Sequence, residues 1–394
     1  MMQTRILYYD TTVQEFTATI TESFIRDAMH IVVLDQTAFY PESGGQPADH
    51  GTLDGVPVTN VWEEGDIILH QVTLPLPIGS TVGKIDWRRR QDHMQQHSGQ
   101  HILSQSFQRL CNAETISFHL GSEIASIDLQ SDYISAECLD EVENLANQIV
   151  YNNLPVVTRT YDSAQVPDAR KISDRQGDVR MVHIGDFDVC PCGGTHVTAT
   201  GEIGMIKLRK AEKTKAGIRI EFLCGNRALK DYRWKNQMIL KIAAEMTIKD
   251  REVYDAIQRI IQTNRDTQRT LQDTNRRLSE SIAMSLIESM ASDPPPRIIR
   301  EIITDMDLQQ MKSIAMMIAA QPGYVILLGT NEPQPFVVFT RSDDLPVDMN
   351  HLIKETLPVF GGKGGGNSKS AQGGSFRGED LEIILQQAEQ IILR

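Results

Sequence analysis

No run of about 18 apolar residues occurs in the chain, so nothing in it reads as a membrane span. The opening residues, Met1-Met2-Gln3-Thr4-Arg5, lack an apolar stretch followed by a small-residue cleavage site. That argues against a secretory leader and for a cytoplasmic location. Cysteine is scarce: Cys111, Cys138, Cys190, Cys192 and Cys224 are an odd, scattered set that does not read as a disulfide framework. In a cytosolic protein such residues are more often metal ligands or buried thiols. Positive charge is also short, with 39 Lys and Arg against 52 Asp and Glu and a net charge of -13. This excludes a generic nucleic-acid coat, because phosphate binding rests on Lys and Arg. It leaves room for an RNA partner held by a local basic patch.

What is present is enough for ordinary globular packing. Hydrophobic residues make up 40% of 394 positions, a length that suggests two or three domains. Residues 1–88 carry short β-branched and aromatic runs at 6–9, 16–20 and 30–34, separated by turn residues, and predict a small β-barrel. Within them Phe39-Tyr40-Pro41-Glu42-Ser43-Gly44-Gly45-Gln46-Pro47 stands out, because its paired glycines allow close backbone approach. A surface hairpin loop is the plain alternative. Residues 89–227 predict an α+β domain. Helices are expected over 92–110, capped by Asp92, and over 135–152, with strands between and a basic hairpin over 207–223. Residues 228–292 read as one long helical segment. Val253, Ile257, Ile260, Asn264, Thr267, Leu271, Thr274 and Leu278 step through it at heptad spacing, with several polar seam positions. After the break at Pro294-Pro295-Pro296, residues 293–394 alternate helix and strand as an α/β domain. A glycine loop interrupts them at 361–367 and 371–374.

Two short patterns carry chemistry. His97 and His101 sit at i and i+4 on a predicted helix, roughly 5–6 Å apart at Cβ, so both can reach one ion. His93 continues the series. It cannot join both others, since eight residues of helix separate His93 from His101 by roughly 12 Å. The second pattern is Cys192-Gly193-Gly194-Thr195-His196, a thiolate and an imidazole with glycines that give room for a tight turn. Two histidines from one segment with Cys192 and His196 make a zinc set of the Cys/His type, and the intervening chain must fold around it. Cys190 is a rival ligand, better read as a buried or neighbouring thiol.

These motifs resemble the editing domain of alanyl-tRNA synthetase and the free-standing AlaX-type alanyl-tRNA editing proteins in their long form. The HxxxH of that family matches His97-Ser98-Gly99-Gln100-His101, its CGGTH matches Cys192 to His196, and its GGQ-containing stretch matches Phe39 to Pro47. The glycine-rich signature of its C-terminal DHHA1 domain is similar to Phe360 through Gly374. The resemblance selects His97 and His101 over His93, leaving His93 as a neighbour of the site, an RNA-facing group or, most simply, a surface residue. It implies a multi-domain α+β fold with a zinc editing domain and a DHHA1-like C-terminal domain. It also implies a homodimer through the long helix and C-terminal domain.

The implied activity is trans-editing: hydrolysis of tRNA(Ala) mischarged with serine, and with glycine as well, as a zinc-dependent deacylase. No preceding class II catalytic region is visible, so the chain is expected to remove amino acids and not attach them. Ser117 and His119 share one face of the strand that the family turns toward the amino acid, and Gln46 is a further candidate to approach the acceptor end. RNA contacts are expected from Arg88, Arg89 and Arg90, from the hairpin residues Lys207, Arg209, Lys210 and Lys213, and from Lys363 of the glycine loop. No residue is assigned as general base. If all four ligands bind at once, no coordination position remains for water, and zinc would then position the substrate instead. The alternative is a non-catalytic tRNA-binding protein with a structural zinc.

Overall fold

A computed structural model describes residues 3–171, 177–331 and 334–394. Met1 and Met2, on which the reading of the leader partly rested, lie outside the described residues. The chain forms two compact units, Met1–Met246 and Thr247–Arg394.

The first unit begins with the expected barrel. Its strands close in the order Glu15–Arg26, Met29–Leu34, Ile67–Val72, Val56–Glu64, Gly51–Leu53 and Gly79–Ile85, every neighbouring pair antiparallel. Alternation fills it: Phe16, Ala18 and Ile20 point inward, while Glu15, Thr17 and Thr19 face water. Closure removes the free edges that a small sheet would otherwise expose. The segment with paired glycines is not a plain surface loop, because Phe39 and Tyr40 are buried at its root. At its tip Ser43 and Gln46 exchange backbone hydrogen bonds of 3.1 and 2.9 Å around Gly44 and Gly45. Both glycines have positive φ, 58° and 84°, as a tight hairpin turn of the primed kind requires.

Helix α1, Trp87–Cys111, is the axis of the α+β part. It starts earlier than expected. Asp86, not Asp92, caps it by accepting from Arg89 N at 3.2 Å, so Arg88 to Arg90 lie inside its first turn. Three arginines there run against the helix dipole, which hid the true start. Asp92 instead receives Arg227, with Nε to Oδ1 at 2.9 Å and Nη2 to Oδ2 at 2.6 Å. Ile102, Leu103 and Phe107 of α1 share one core with Ile127, Ile220 and Phe222 of a four-stranded sheet. That sheet runs in the order Ile206–Lys213, Ile218–Cys224, Ala125–Gln130, Glu114–Leu120. Helix α2, Ala136–Tyr151, adds Val142, Ala146, Ile149 and Val150 to the same core. A three-stranded sheet of Val156–Asp162, Asp178–Ile184 and Asp188–Pro191 leads into Cys192. One disulfide, Cys111–Cys138, joins the end of α1 to the start of α2. The cysteine pattern did not suggest it, because a single local link has no repeated spacing.

The expected continuous helix over 228–292 is two helices. Helix α3, Gly225–Met246, closes the first unit, and α4, Val253–Ser289, opens the second. Between them Thr247 takes a φ of 55°, which ends a helix. On α4 the heptad positions Ile257, Ile260, Leu271 and Leu278 stand exposed, while Ser279 and Ala283 are buried. Beyond α4 the second unit is the expected α/β arrangement. Its sheet runs Arg297–Ile302, Tyr324–Thr330, Phe336–Arg341, Ser370–Gly374, Lys363–Gly366, with one parallel pair at its start. Helix α5, Leu308–Ala319, and the end of α4 share one core with this sheet. Helices α6, Met349–Thr356, and α7, Leu381–Ile392, share another. The glycine loop is in fact the edge hairpin of this sheet, with Lys363 paired to Gly374 across it. Its glycines make room for Leu357, whose Cδ1 would lie 2.9 Å from a Cβ at Gly364.

The strands Glu114–Leu120, Ala125–Gln130 and Ile218–Cys224 carry a polar group that tests this sheet. Asp128 accepts from Arg219 Nε at 2.7 Å and Nη2 at 2.9 Å, and from Ser117 Oγ at 2.7 Å. Arg219 and then Ser117 hold its carboxyl down from 3.8 to about 2 against the opposing effect of burial. A carboxyl lowered on folding contributes stability that is complete above its unfolded value and lost as pH falls through its folded value. Wild type should therefore exceed Asp128→Asn in urea midpoint at neutral pH, and the gap should close as pH falls from 3.8 toward about 2. A gap independent of pH would show that the carboxylate's charge is not what holds the strands.

Candidate metal centre

One atom from each of His97, His101, Cys192 and His196 lies within 4.8 Å of every other. Two of these residues come from the middle of α1 and two from the turn after Asp188–Pro191, a separation of 95 residues between His97 and Cys192. The three imidazoles are buried and Cys192 is half-buried. Cys192 Sγ lies 3.3 Å from both His97 Nε2 and His196 Nε2.

Each histidine is held through its other nitrogen. His97 Nδ1 donates to Gln46 Oε1 at 2.9 Å, and His101 Nδ1 donates to Asp188 Oδ2 at 3.2 Å. His196 Nδ1 lies 3.2 Å from Ser98 Oγ. With Nδ1 occupied, the Nε2 lone pairs of His97 and His196 are left for the thiolate side. This is the arrangement that surrounding oxygens impose on metal-binding histidines. The partners are themselves fixed. Asp188 receives Arg170 Nε at 2.9 Å, and Gln46 both donates to Thr195 Oγ1 at 2.8 Å and accepts from Thr195 N at 3.2 Å. Arg180 Nη1 donates to Cys192 O at 2.8 Å and Gly194 O at 2.9 Å, clamping the turn.

The two glycines of the turn are not equivalent. A Cβ at Gly194 would overlap the His97 ring and lie 3.0 Å from Gln46 Oε1, whereas one at Gly193 would meet nothing within 4 Å. Gly194 is what lets the barrel's amide, the helix histidine and the Cys192 turn meet. Gly45 does similar work from the barrel side: a Cβ there would lie 2.7 Å from Phe118 O.

Electrostatics favour a charged thiolate among neutral and charged imidazoles. Burial alone would push the Cys192 thiol up, yet His97 beside it, the largest opposing influence, holds it well below its ordinary range. Burial carries His196 down to about 3. Burial opposes the charged form of His101 too, but Asp188 and the neighbouring sulfurs raise it well above its usual value. Three imidazole nitrogens and one soft thiolate form a donor set of the tetrahedral kind that zinc takes in proteins. The residues present therefore fit that ion.

Several candidates lie elsewhere than expected. Gln46 is fully buried and holds His97. Ser117 and His119 do share a face, but it is the one carrying Asp128, with His119 Nε2 3.4 Å from Asp128 Oδ2. Phe118, on the opposite face, stacks on His97 with ring centroids 5.1 Å apart. Among the RNA candidates, Arg90 is 0% exposed and gives Nε to Asp49 Oδ1 and Oδ2 at 3.1 and 2.9 Å. At 3.6 residues per turn, three consecutive arginines cannot all face water, and the third turns inward. Arg88 is exposed, and Arg89 is half-buried with Nε donating to Ala48 O at 3.0 Å. The basic hairpin is largely neutralised by carboxylates. Lys207 meets Glu143 at 2.6 Å, Arg209 meets Asp231 at 3.6 Å, and Lys210 meets Glu212. Lys213 and Lys363 are exposed. Cys190 is buried and outside the four-residue set. His93, read as a surface residue, is buried, because its side of α1 faces the body of the unit.

Sequence reasoning missed Ser98, Asp188 and Arg170. Ser98 and Asp188 lie within four residues of named ligands, but nothing local distinguishes them from ordinary polar residues.

Comparison with known proteins places these features in context. Residues 179–221 match the family described as "Threonyl and Alanyl tRNA synthetase second additional domain", and residues 3–89 match "tRNA synthetases class II (A)". The alanyl-tRNA editing protein AlaX-L of Pyrococcus horikoshii is 32% identical over 94% of this chain and 94% of its own length. The alanine–tRNA ligase of Pyrococcus abyssi is 31% identical over 99% of this chain, which spans 43% of that relative. Of solved structures, the C-Ala domain of Aquifex aeolicus alanyl-tRNA synthetase covers 24% of this chain at a TM-score of 0.23 and 18% identity.

Four variants test the metal. Gly194→Ala should release bound metal although all four ligands remain, and Gln46→Ala should weaken metal affinity about 10–100-fold, as loss of such a partner does. Cys192→Ala should lose metal and Cys190→Ala should keep it. Metal content by mass spectrometry checks each, and retention in Cys192→Ala with loss in Cys190→Ala would reassign the sulfur ligand.

Proposed function

Since the chain belongs to the AlaX-L family of alanyl-tRNA editing proteins, we propose that it is a zinc-dependent trans-editing deacylase. Its substrates on this reading are tRNA(Ala) esterified with serine and with glycine, and its location is the cytoplasm. The observation that carries the reading is the set of three imidazoles and one thiolate, within 4.8 Å of one another, each imidazole held at Nδ1 by a protein oxygen.

Zinc bound there would supply Lewis acidity at the ester carbonyl, a water of lowered pKa, or a grip on the 3′-terminal adenosine. The chain's own residues orient the site. Gln46, Ser98 and Asp188 fix three rings, Arg180 holds the turn, and Phe118 stacks on the His97 ring. Ser117 and His119 are not carried into the amino-acid pocket, because they are engaged with Asp128 on the other face. Residues 1–88 and 89–227 would together hold the aminoacylated end. Residues 293–394 are assigned as a DHHA1-like domain for the tRNA body, with Lys363 on its glycine hairpin. The exposed heptad positions of α4 support a homodimer.

A second reading is favoured by one feature of the same site. Four convergent protein donors make a closed set, and closed sets are the mark of structural zinc, whereas catalytic sites keep an open position. On that reading the protein binds tRNA without turnover.

Incubation with Ser-tRNA(Ala), Gly-tRNA(Ala) and Ala-tRNA(Ala), with and without a chelator, decides between them. The proposal expects the serine and glycine esters to be cleaved, alanine spared and the chelated protein inactive. Metal-loaded protein that binds tRNA(Ala) but leaves the serine ester intact would establish the structural reading.

A further inference from the structure

One turn before His97 on α1 lies a separate cavity of about 300 Å³, lined by Arg88, Arg89, His93, Ser122, Asn226, Arg227 and Lys230, with Asp86 and Asp92 at its edge. Its charge is unbalanced. Arg227 is committed to Asp92 by two hydrogen bonds of 2.9 and 2.6 Å, and Asp86 is committed to capping α1. Arg88 and Lys230 are exposed and, among the described residues, have no carboxylate partner. Arg89 spends its Nε on a carbonyl. The lining also includes a buried group without a hydrogen bond: His93 is only 3% exposed, and its Nδ1 has no partner. Burial, with Arg89 beside it, keeps the ring neutral, lowering it to about 3. A neutral imidazole can offer one N–H to an acceptor without adding charge. Uncompensated cations, a hydroxyl, an amide and an unpartnered imidazole around a small polar cavity are the recognition chemistry of a phosphate.

We propose that this cavity is a phosphate pocket for the single-stranded 3′ end of the tRNA, taking one internucleotide phosphate upstream of the aminoacylated adenosine. The choice of RNA as the source rests on the functional reading above. The spacing agrees with it, because His93 and His97 are separated by roughly 6 Å along the helix axis, the scale of one nucleotide step. Arg88 and Lys230 supply the charge, Ser122 and Asn226 the neutral hydrogen bonds, and His93 the wall. The pocket would set the strand's register, so that the terminal ester arrives at the four-residue cluster. It would contribute nothing to base recognition.

The test uses the full-length protein and an uncharged tRNA(Ala) acceptor minihelix, read by fluorescence anisotropy. Each internucleotide linkage of the 3′ single strand is replaced in turn by a neutral methylphosphonate. One linkage should weaken binding at least about tenfold, a difference within the reach of a charge-assisted phosphate contact. The double variant Arg88→Gln/Lys230→Gln should bind the intact minihelix more weakly, with a salt slope lower by about one per charge removed. It should show no further loss at that same linkage, because both changes delete one interaction. Equal effects at every linkage, or losses that simply add, would overturn the proposal. Inorganic phosphate, followed by the imidazole NMR signals of His93, separates a free ion from a strand phosphate. Competition with the minihelix is expected, and binding of phosphate without competition would overturn the strand assignment. None of these readouts needs ester cleavage. Absent deacylation with the linkage effect intact would sink the deacylase reading alone, and turnover without a linkage effect would sink the pocket alone.

Discussion

The hydrogen bond from His97 Nδ1 to Gln46 Oε1, 2.9 Å long, joins a barrel to a helix 51 residues away. Much of the first unit is arranged so that it can form. The barrel closes and projects a hairpin whose two glycines take positive φ. The hairpin tip reaches the strand Glu114–Leu120, where Leu120 N donates to Gly45 O at 3.4 Å. Gly194 leaves the space in which the amide and the imidazole meet. The same amide then binds Thr195 through both its donor and its acceptor. Gln46 thus connects the barrel, the helix pair of histidines and the Cys192 turn through a single buried side chain.

This connection explains why the barrel belongs with the site at all. A fully buried amide must have its polar atoms satisfied or it costs stability. Thr195 satisfies both ends of the Gln46 amide, and Oε1 so fixed accepts from His97 Nδ1 and turns His97 Nε2 toward Cys192. Asp188 does the same for His101, and its own charge is met by Arg170 at 2.9 Å. Preorganisation of this kind means that the rings need not reorganise when a ligand arrives.

What could be read in advance follows the range of the physics. Helical spacing is local, so His97 and His101 were legible as a pair, and the turn motif put Cys192 and His196 beside each other. Alternation is local too: it correctly set Ser117 and His119 on one face and Phe118 on the other. It could not say which face meets α1: Phe118 stacks on His97, and Ser117 and His119 lie beside Asp128. The acceptors at Nδ1 lie 51, 87 and 98 residues from their histidines, and such pairings exist only after folding. Charge was misread for the same reason. Arg90 looked like the third member of a surface run, yet the helix turns it onto Asp49, and Glu143 and Asp231 come from other elements to meet the hairpin. The barrel, the α+β core and the α/β unit were visible in periodicity. The break at Thr247 was not, because one residue with positive φ leaves no mark on a long polar helix.

The central claim is that His97, His101, Cys192 and His196 form one metal centre with three nitrogens and one sulfur. X-ray absorption at the zinc edge of the purified, zinc-loaded protein tests it most directly. The account predicts a single sulfur at about 2.3 Å and three nitrogens at about 2.0 Å. A shell with two sulfurs, or with oxygen and nitrogen alone, would contradict it.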